Sequence, residues 1–221
     1  MPVAMAGRDP AIQISPPKKP MKLALLRHGP TEWNAEGRIQ GTIDIPLSAA
    51  GFAKMSALLP PEGFETARRY CSPKLRARQT AECLGFTDPI LDARLIEQNW
   101  GQWEGLTRAE MIARDGDDAF ERAGAKRGVE FRPPGGESTG EVQARLQNFF
   151  TDIAAKGEDA IAVAHMGVLR AAYAIATQWD HSAPMPPELD VNAVVILNLT
   201  ERGVPSIAAL NVPFRVKAAA L

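Results

Sequence analysis

The chain has 221 residues, enough for one domain with a sizeable buried core, and its 45% hydrophobic and 23% charged residues are an ordinary globular mix. With 25 basic and 26 acidic side chains the formal net charge is -1, which removes any long-range electrostatic case for nucleic acid or an anionic membrane as partner. No apolar run is long enough to span a bilayer, and Cys71 and Cys83, the only two cysteines, neither build a disulfide framework nor sit in a metal-ligand cluster.

Residues 1–20 are rich in proline and polar side chains and lack the continuous apolar core of a secretory signal. They are expected to form a disordered tail, with Met21 as an alternative start, and a cytoplasmic location is the default expectation. Lys22 to Arg27 (KLALLR) is a short apolar run suited to a buried strand. Gly29 and Pro30 must end it, so His28 falls where strand gives way to loop. Residues 29–48 have the composition of a long functional loop. A helix is expected from about Ala49 to Leu59, capped by Ser48, with Pro60 and Pro61 beyond it. Thr66 to Ser72 suits the next strand, ended by Pro73, and Leu75 to Leu84 a helix closed by Gly85.

Polar loop sequence runs from Asp92 through Gly105, weaker helical patterns cover roughly 106–123, and Arg132 to Gly136 (RPPGG) forces a non-helical stretch. Ser138 and Glu141 have capping-box spacing, and Val142, Leu146, Phe149, Phe150 and Ile153 put an apolar face on a helix reaching about Ala155. Ala160 to Ala164 (AIAVA) reads as a second buried strand that His165 ends, followed by a helix from Gly167 to Thr177. Ala193–Leu199 and Ser206–Leu210 supply two late strands. This alternation predicts a layered α/β sheet in a single domain over 21–221, without internal repeat.

Two of the three histidines, His28 and His165, share one context: the end of a buried strand, just before a glycine-containing turn. Ligands of open α/β sheets collect at the carboxyl ends of strands, so the two imidazoles are expected to face one pocket. Each has an arginine near it, Arg27 and Arg170, and Arg76 and Arg78 open the helix after the second strand. The guanidinium fork matches phosphate oxygens and stays charged at any working pH. Strand-end histidines, several arginines and no metal-ligand cluster point to phosphoryl transfer without a metal or other cofactor.

The motifs narrow this reading. L-R-H-G-P-T-E-W-N at 26–34, S-P-K-L-R-A-R-Q-T-A at 72–81, E-x-x-x-G-x-W-E-G at 97–105, P-G-G-E-S at 134–138 and A-H-M-G-V-L-R at 164–170 occur in the order in which they occur in the histidine phosphatase superfamily, also called phosphoglycerate-mutase-like. Over about residues 22–211 the chain resembles that family. The resemblance implies a three-layer α/β/α sandwich with a mainly parallel central sheet. It also implies that His28 is the nucleophile that becomes phosphorylated, that Arg27, Arg76 and Asn34 bind phosphate, that His165 is the second histidine of the pocket, and that Glu97 donates and accepts the proton. In the mechanism expected from this, Arg27, Arg76 and a protonated His165 hold the equatorial oxygens. Arg78 takes no role from the resemblance. Pro30 stands where many family members carry Glu or Gln, which removes that residue's polar contact.

A phosphatase is favoured over a mutase, because mutases of the family carry a longer, more basic insertion between the acidic residue and P-G-G-E-S. Arg108, Arg114, Arg122, Lys126, Arg127 and Arg132 in that segment are interleaved with acids and read mostly as solvated surface. The expected substrate is a small phosphate ester. G-R-I-Q-G-T-I-D-I-P-L-S at 37–48 resembles both phosphoglycerate-mutase-like phosphatases and α-ribazole phosphatases. Mutase-type phosphoryl transfer and a non-catalytic regulatory domain are the alternatives, and the absence of a P-loop sequence counts against a nucleotide-binding protein. At least one of Trp33, Trp100, Trp103 and Trp179 is expected at the pocket, and His181 is read as surface or loop packing. A homodimer is entertained only because small α/β enzymes often form two-fold dimers.

Overall fold

The computed structural model describes residues 20–218, so the expected tail lies outside the described residues except at Pro20. The first apolar run forms β1 (Met21–Arg27), in which Leu23, Ala24, Leu25 and Leu26 are inaccessible to solvent. A strand buried on both faces has no polar side to show, so its sequence reads as an apolar run rather than an alternation. After it come α1 (Glu32–Ala35), α2 (Ala49–Ser56), β2 (Leu58–Leu59), β3 (Arg68–Cys71), α3 (Leu75–Cys83) and β4 (Ile90–Leu91). Two short helices, α4 (Arg108–Asp115) and α5 (Ala119–Arg122), occupy the middle of the chain. The remainder is α6 (Thr139–Ala154), β5 (Ala160–Ala164), α7 (Met166–Thr177), β6 (Val194–Leu199), β7 (Pro205–Val212) and β8 (Arg215–Val216).

Six strands make one sheet in the order β4-β3-β5-β1-β6-β7. The first four are parallel to one another, while β6 and β7 add antiparallel strands at the other edge. Successive side chains of a strand point to opposite faces. Accordingly Leu23 and Leu25 pack with Phe149, Phe150 and Leu169 of α6 and α7, whereas Ala24 and Leu26 pack with Met55, Ala77 and Ala81 of α2 and α3. The result is an α/β/α sandwich with a largely parallel central sheet. Among the described residues no helix is long and apolar enough to cross a membrane.

The expected capping box of α6 is present, with Ser138 accepting from the Glu141 N–H and Glu141 accepting from the Ser138 N–H. Four details differ from expectation. A turn of helix, α1, interrupts the loop of 29–48, nucleated by Thr31 as its cap. The helix expected to reach Leu59 stops at Ser56, because the residue before a proline avoids helical backbone; Leu58 and Leu59 pair with β8 instead. The pattern over 106–123 divides into α4 and α5 at Gly116, whose φ is 91. β4 has two residues at the sheet edge with exposed side chains, too short and too exposed to show a pattern.

Candidate active site

Sheet register builds the site. Arg27 pairs with Ala164, and Cys71 with Val163, so β1, β5 and β3 finish side by side. His28, His165 and Ser72 are the next residues and leave the sheet together at its carboxyl edge. Hydrogen bonds from the His28 N–H to the Ala164 carbonyl and from the Ser72 N–H to the Val163 carbonyl, both 2.9 Å, carry the ladder to this point. The two imidazoles lie with centroids 5.1 Å apart.

A hydrogen bond fixes the tautomer of His28. Its Nδ1 lies 2.7 Å from the Gly29 carbonyl oxygen, which can only accept, so Nδ1 carries the proton and Nε2 presents a lone pair. Burial, reinforced by Arg76 and Arg27 and opposed by the Gly29 bond, pushes the His28 pKa down to about 3. Gly29 is itself held by an N–H bond to Thr80 Oγ1 of 2.9 Å. His165 is fully buried, with Nε2 2.8 Å from Ser72 Oγ and no partner for Nδ1 among the described residues. Burial and then Arg76 hold its pKa well below the usual histidine value. Without an anion in the site, a second cation beside Arg76 in a desolvated place is unfavourable, so the expected protonation of His165 belongs to the phosphate-bound state.

Arg27 and Arg76 surround the histidines. Arg76, in the first turn of α3, is fully buried and donates to the Gly41 and Ile43 carbonyls at 2.8 and 3.1 Å. Arg27 donates to Asn192 Oδ1 at 3.0 Å. The Nε of each is buried without a partner among the described residues. The loop that holds Arg76 is organised by Glu104, whose carboxylate accepts from the Thr42 and Ile43 N–H groups at 2.7 and 2.8 Å. Glu104 thus acts on the site through two intermediates. It stands inside one of the quoted motifs, yet sequence reasoning gave it no role.

Glu97 is buried, and both carboxylate oxygens accept backbone N–H groups, from Gln98 at 2.8 Å and Gly167 at 3.1 Å. Burial raises its pKa, opposed by those bonds and by Arg76 and Arg27. Gly167 allows this close approach, since a Cβ there would sit 2.2 Å from Glu97 Oε1. Gly167→Ala should displace the carboxylate and lower kcat by about tenfold to a hundredfold while the protein still folds, since a shift of 1 Å at a reacting group costs on the order of 100-fold. Steady-state kinetics alongside a melting curve check this; unchanged kcat would show that the position of Glu97 is immaterial.

A cleft of about 300 Å³ is lined by Arg27, His28, Asn34 and Glu97, with Trp33, Trp100 and Arg170 around them. Asn34 Oδ1 is engaged by the Thr31 N–H at 3.0 Å, so any contact with an anion falls to its amide nitrogen. His165 and Arg76 adjoin the site from the interior and do not line the cleft. Pro30 is accommodated through its carbonyl, which accepts the Ser48 N–H at the start of α2 (3.0 Å). Trp103 instead fills a separate small core, and Trp179 stacks on His181 at 4.1 Å. His181 shows the expected loop packing, against Trp179, and also lines a second cavity. Among the described residues no cluster of His, Cys, Asp and Glu has the makings of a metal site.

Buried neutral histidines make stability depend on pH. The unfolded chain binds protons near pH 6.5, whereas His28 in the fold resists until about 3 and His181, held down by burial and Arg170, until about 4. The unfolded state therefore binds more protons in this window, and stability falls as pH drops below 6.5, by about 1.4 kcal/mol per pH unit at most for buried His28 and by less for the partly exposed, solvent-screened His181. Melting temperatures between pH 7 and 4 should decline, and His28→Gln should flatten the decline. Equal slopes in both proteins would contradict the assignment.

Comparison with known proteins agrees with this geometry. The family described as histidine phosphatase superfamily (branch 1) matches residues 23–213. A 2,3-bisphosphoglycerate-dependent phosphoglycerate mutase 2 of Gloeobacter violaceus is 33% identical over 175 residues, covering 73% of this chain and 77% of its own. A glucosyl-3-phosphoglycerate phosphatase of Mycobacterium tuberculosis is 32% identical over 164 residues, covering 68% and 72%. The solved structure of YhfR from Bacillus stearothermophilus superposes with a TM-score of 0.73 at 31% identity, covering 87% of this chain and 97% of that one. With sequence and architecture matched over nearly the whole chain, the protein belongs to the histidine phosphatase superfamily, branch 1.

Proposed function

We propose that this protein is a phosphomonoester hydrolase that needs no metal and works through a phosphohistidine on His28, in a single domain over residues 21–221. Family membership gives the coarser range, hydrolase or mutase chemistry on a small phosphorylated metabolite. One observation carries the finer reading. Arg27 Nε, Arg76 Nε and His165 Nδ1 are buried without partners among the described residues, on three residues whose charge or ring acts on the imidazole whose Nε2 lone pair is available. Buried polar atoms ordinarily have partners, and a tetrahedral anion would supply all of them at once.

In this reading His28 Nε2 attacks phosphorus in line with the alcohol oxygen. The phosphorus–oxygen bond breaks, its electron pair goes to the alcohol oxygen, and that oxygen takes the proton of Glu97. Arg27 and Arg76 oppose the charge growing on the equatorial oxygens. The phosphate dianion also favours protonation of His165, reversing the effect of burial. Carboxylate Glu97 then takes a proton from water, whose oxygen attacks phosphorus and returns the electron pair to His28.

Ion pairing in the middle segment favours hydrolysis over mutase chemistry. Arg114, Arg122, Lys126, Arg127 and Arg132 pair with Asp115, Asp118, Glu121, Glu130 and Glu141, and Arg108 lies over the Phe120 ring. None of these lines the cleft, leaving no basic grip from this segment on a second phosphate. Inorganic phosphate release and 3-phosphoglycerate isomerisation, each with and without 2,3-bisphosphoglycerate, separate the readings. A screen of small phosphomonoesters that includes α-ribazole 5'-phosphate accompanies them. Phosphate release without isomerisation is expected; bisphosphoglycerate-dependent isomerisation would establish a mutase, and neither activity across the screen a non-catalytic domain.

A further inference from the structure

A second cavity of about 170 Å³ opens beside the phosphate cleft and shares Gln98, Trp100, Gly167 and Arg170 with it. The shared residues put it next to the space in which a group bonded to phosphorus at His28 would lie. Three of its walls are rings: Phe120 and Phe131 stack at 5.9 Å with planes 6° apart, and Trp100 meets Phe131 edge-on at 5.6 Å. These rings pack around the buried Trp103. An apolar cavity of about 150 Å³ accepts a benzene ring, so the space fits one six-membered ring.

Two nitrogens qualify this apolar character. Arg170 Nε and His181 Nε2 belong to cavity-lining residues and are buried without partners among the described residues. The Arg170 guanidinium lies over the Trp179 ring at 5.5 Å. The turn carrying His181 is clamped, since a Cβ on Gly128 would meet the Asp180 carbonyl oxygen at 2.0 Å. A saturated hydrocarbon would leave these polar groups unmet, whereas the negative face of an aromatic ring attracts a guanidinium and also packs against the aromatic walls.

We propose that this cavity is a leaving-group subsite that selects phosphomonoesters whose alcohol carries an aromatic ring. The inference rests on the phosphatase reading above. Its test compares 2-phenylethyl, 2-cyclohexylethyl and ethyl phosphates, all alkyl esters of similar leaving-group basicity, so that differences report binding rather than intrinsic reactivity. The phenyl ester should exceed the ethyl ester at least tenfold in kcat/KM, mainly through KM, with the cyclohexyl ester between them. Phe131→Ala, which removes a wall, and Ala125→Leu, which fills the space, should each bring the phenyl-to-ethyl ratio near one. The ratio is read within each variant, so a partial loss of folded protein does not affect it.

Equal kcat/KM for phenyl and ethyl esters, or a preference that survives both substitutions, would overturn the subsite while leaving His28-dependent hydrolysis standing. A cyclohexyl ester as good as the phenyl ester would overturn the aromatic selectivity. If the wild type hydrolyses none of the three, nor any other phosphomonoester, the phosphatase reading fails and the subsite with it.

Discussion

His28→Ala should lower phosphomonoester turnover by about 10⁴-fold or more, for good and poor leaving groups alike. On the proposed mechanism it removes the atom that takes the phosphoryl group, and losing a covalent nucleophile from an intact site costs this much because the remaining groups act only in concert with it. Arg27, Arg76 and His165 stay in place, so binding should outlast catalysis: vanadate or phosphate should still raise the melting temperature. The fold should also survive. Among the described residues the imidazole makes one side-chain hydrogen bond, to the Gly29 carbonyl, and an acceptor left unmet costs on the order of 1–3 kcal/mol. A folded variant with undiminished turnover would end the argument for His28.

The second large effect concerns Glu97, and it depends on the substrate. Glu97→Gln cannot protonate a departing alkoxide, so alkyl phosphates should lose about 10²- to 10⁴-fold in kcat/KM, the usual range for a positioned acid. Nitrophenolate leaves without a proton, so 4-nitrophenyl phosphate should still phosphorylate His28 in a burst. The steady state after that burst should be slow, because no carboxylate remains to activate water, and phosphoenzyme should accumulate. The wild type adds a pH signature. Burial raises the Glu97 pKa, and the acid form is lost as pH rises through that value, so alkyl phosphate turnover should fall on that limb while the nitrophenyl burst does not. If Glu97 only positions other groups, the proton coming from substrate or water, then Glu97→Gln would slow both substrates equally. The amide nitrogen cannot accept, so one of the two backbone N–H groups now bound by the carboxylate loses its acceptor, and a modest stability loss should accompany the kinetic one.

Sequence alone showed the parts of this fold that are buried on both faces or periodic. KLALLR and AIAVA are apolar because they are central strands of the sheet, and the α6 face repeats because one side packs on that sheet. Elements that bury little carried no such signal: β4 exposes both side chains, and β2 and β8 are two residues each, paired far apart in the chain. The site was legible to the same degree. His28 and His165 could be placed together because strand ends of one parallel sheet share an edge, and the family motifs supplied Arg76, Glu97 and Asn34. Ser72, Glu104, Gly167 and Asn192 were not found, since Ser72, Gly167 and Asn192 act by holding another site residue and Glu104 by organising the loop that holds Arg76. The depressed pKa of His165 in the anion-free site follows from burial and from Arg76, a three-dimensional fact that no spacing encodes.

Rapid acid-free quenching of the enzyme with a radiolabelled phosphomonoester, followed by peptide mapping, addresses the central claim most directly. The account requires up to one phosphoryl group per chain during turnover, stable in base, lost in acid, and located on the peptide that contains residue 28. Label on a serine or carboxylate, or rapid turnover with no labelled protein at any time, would contradict it.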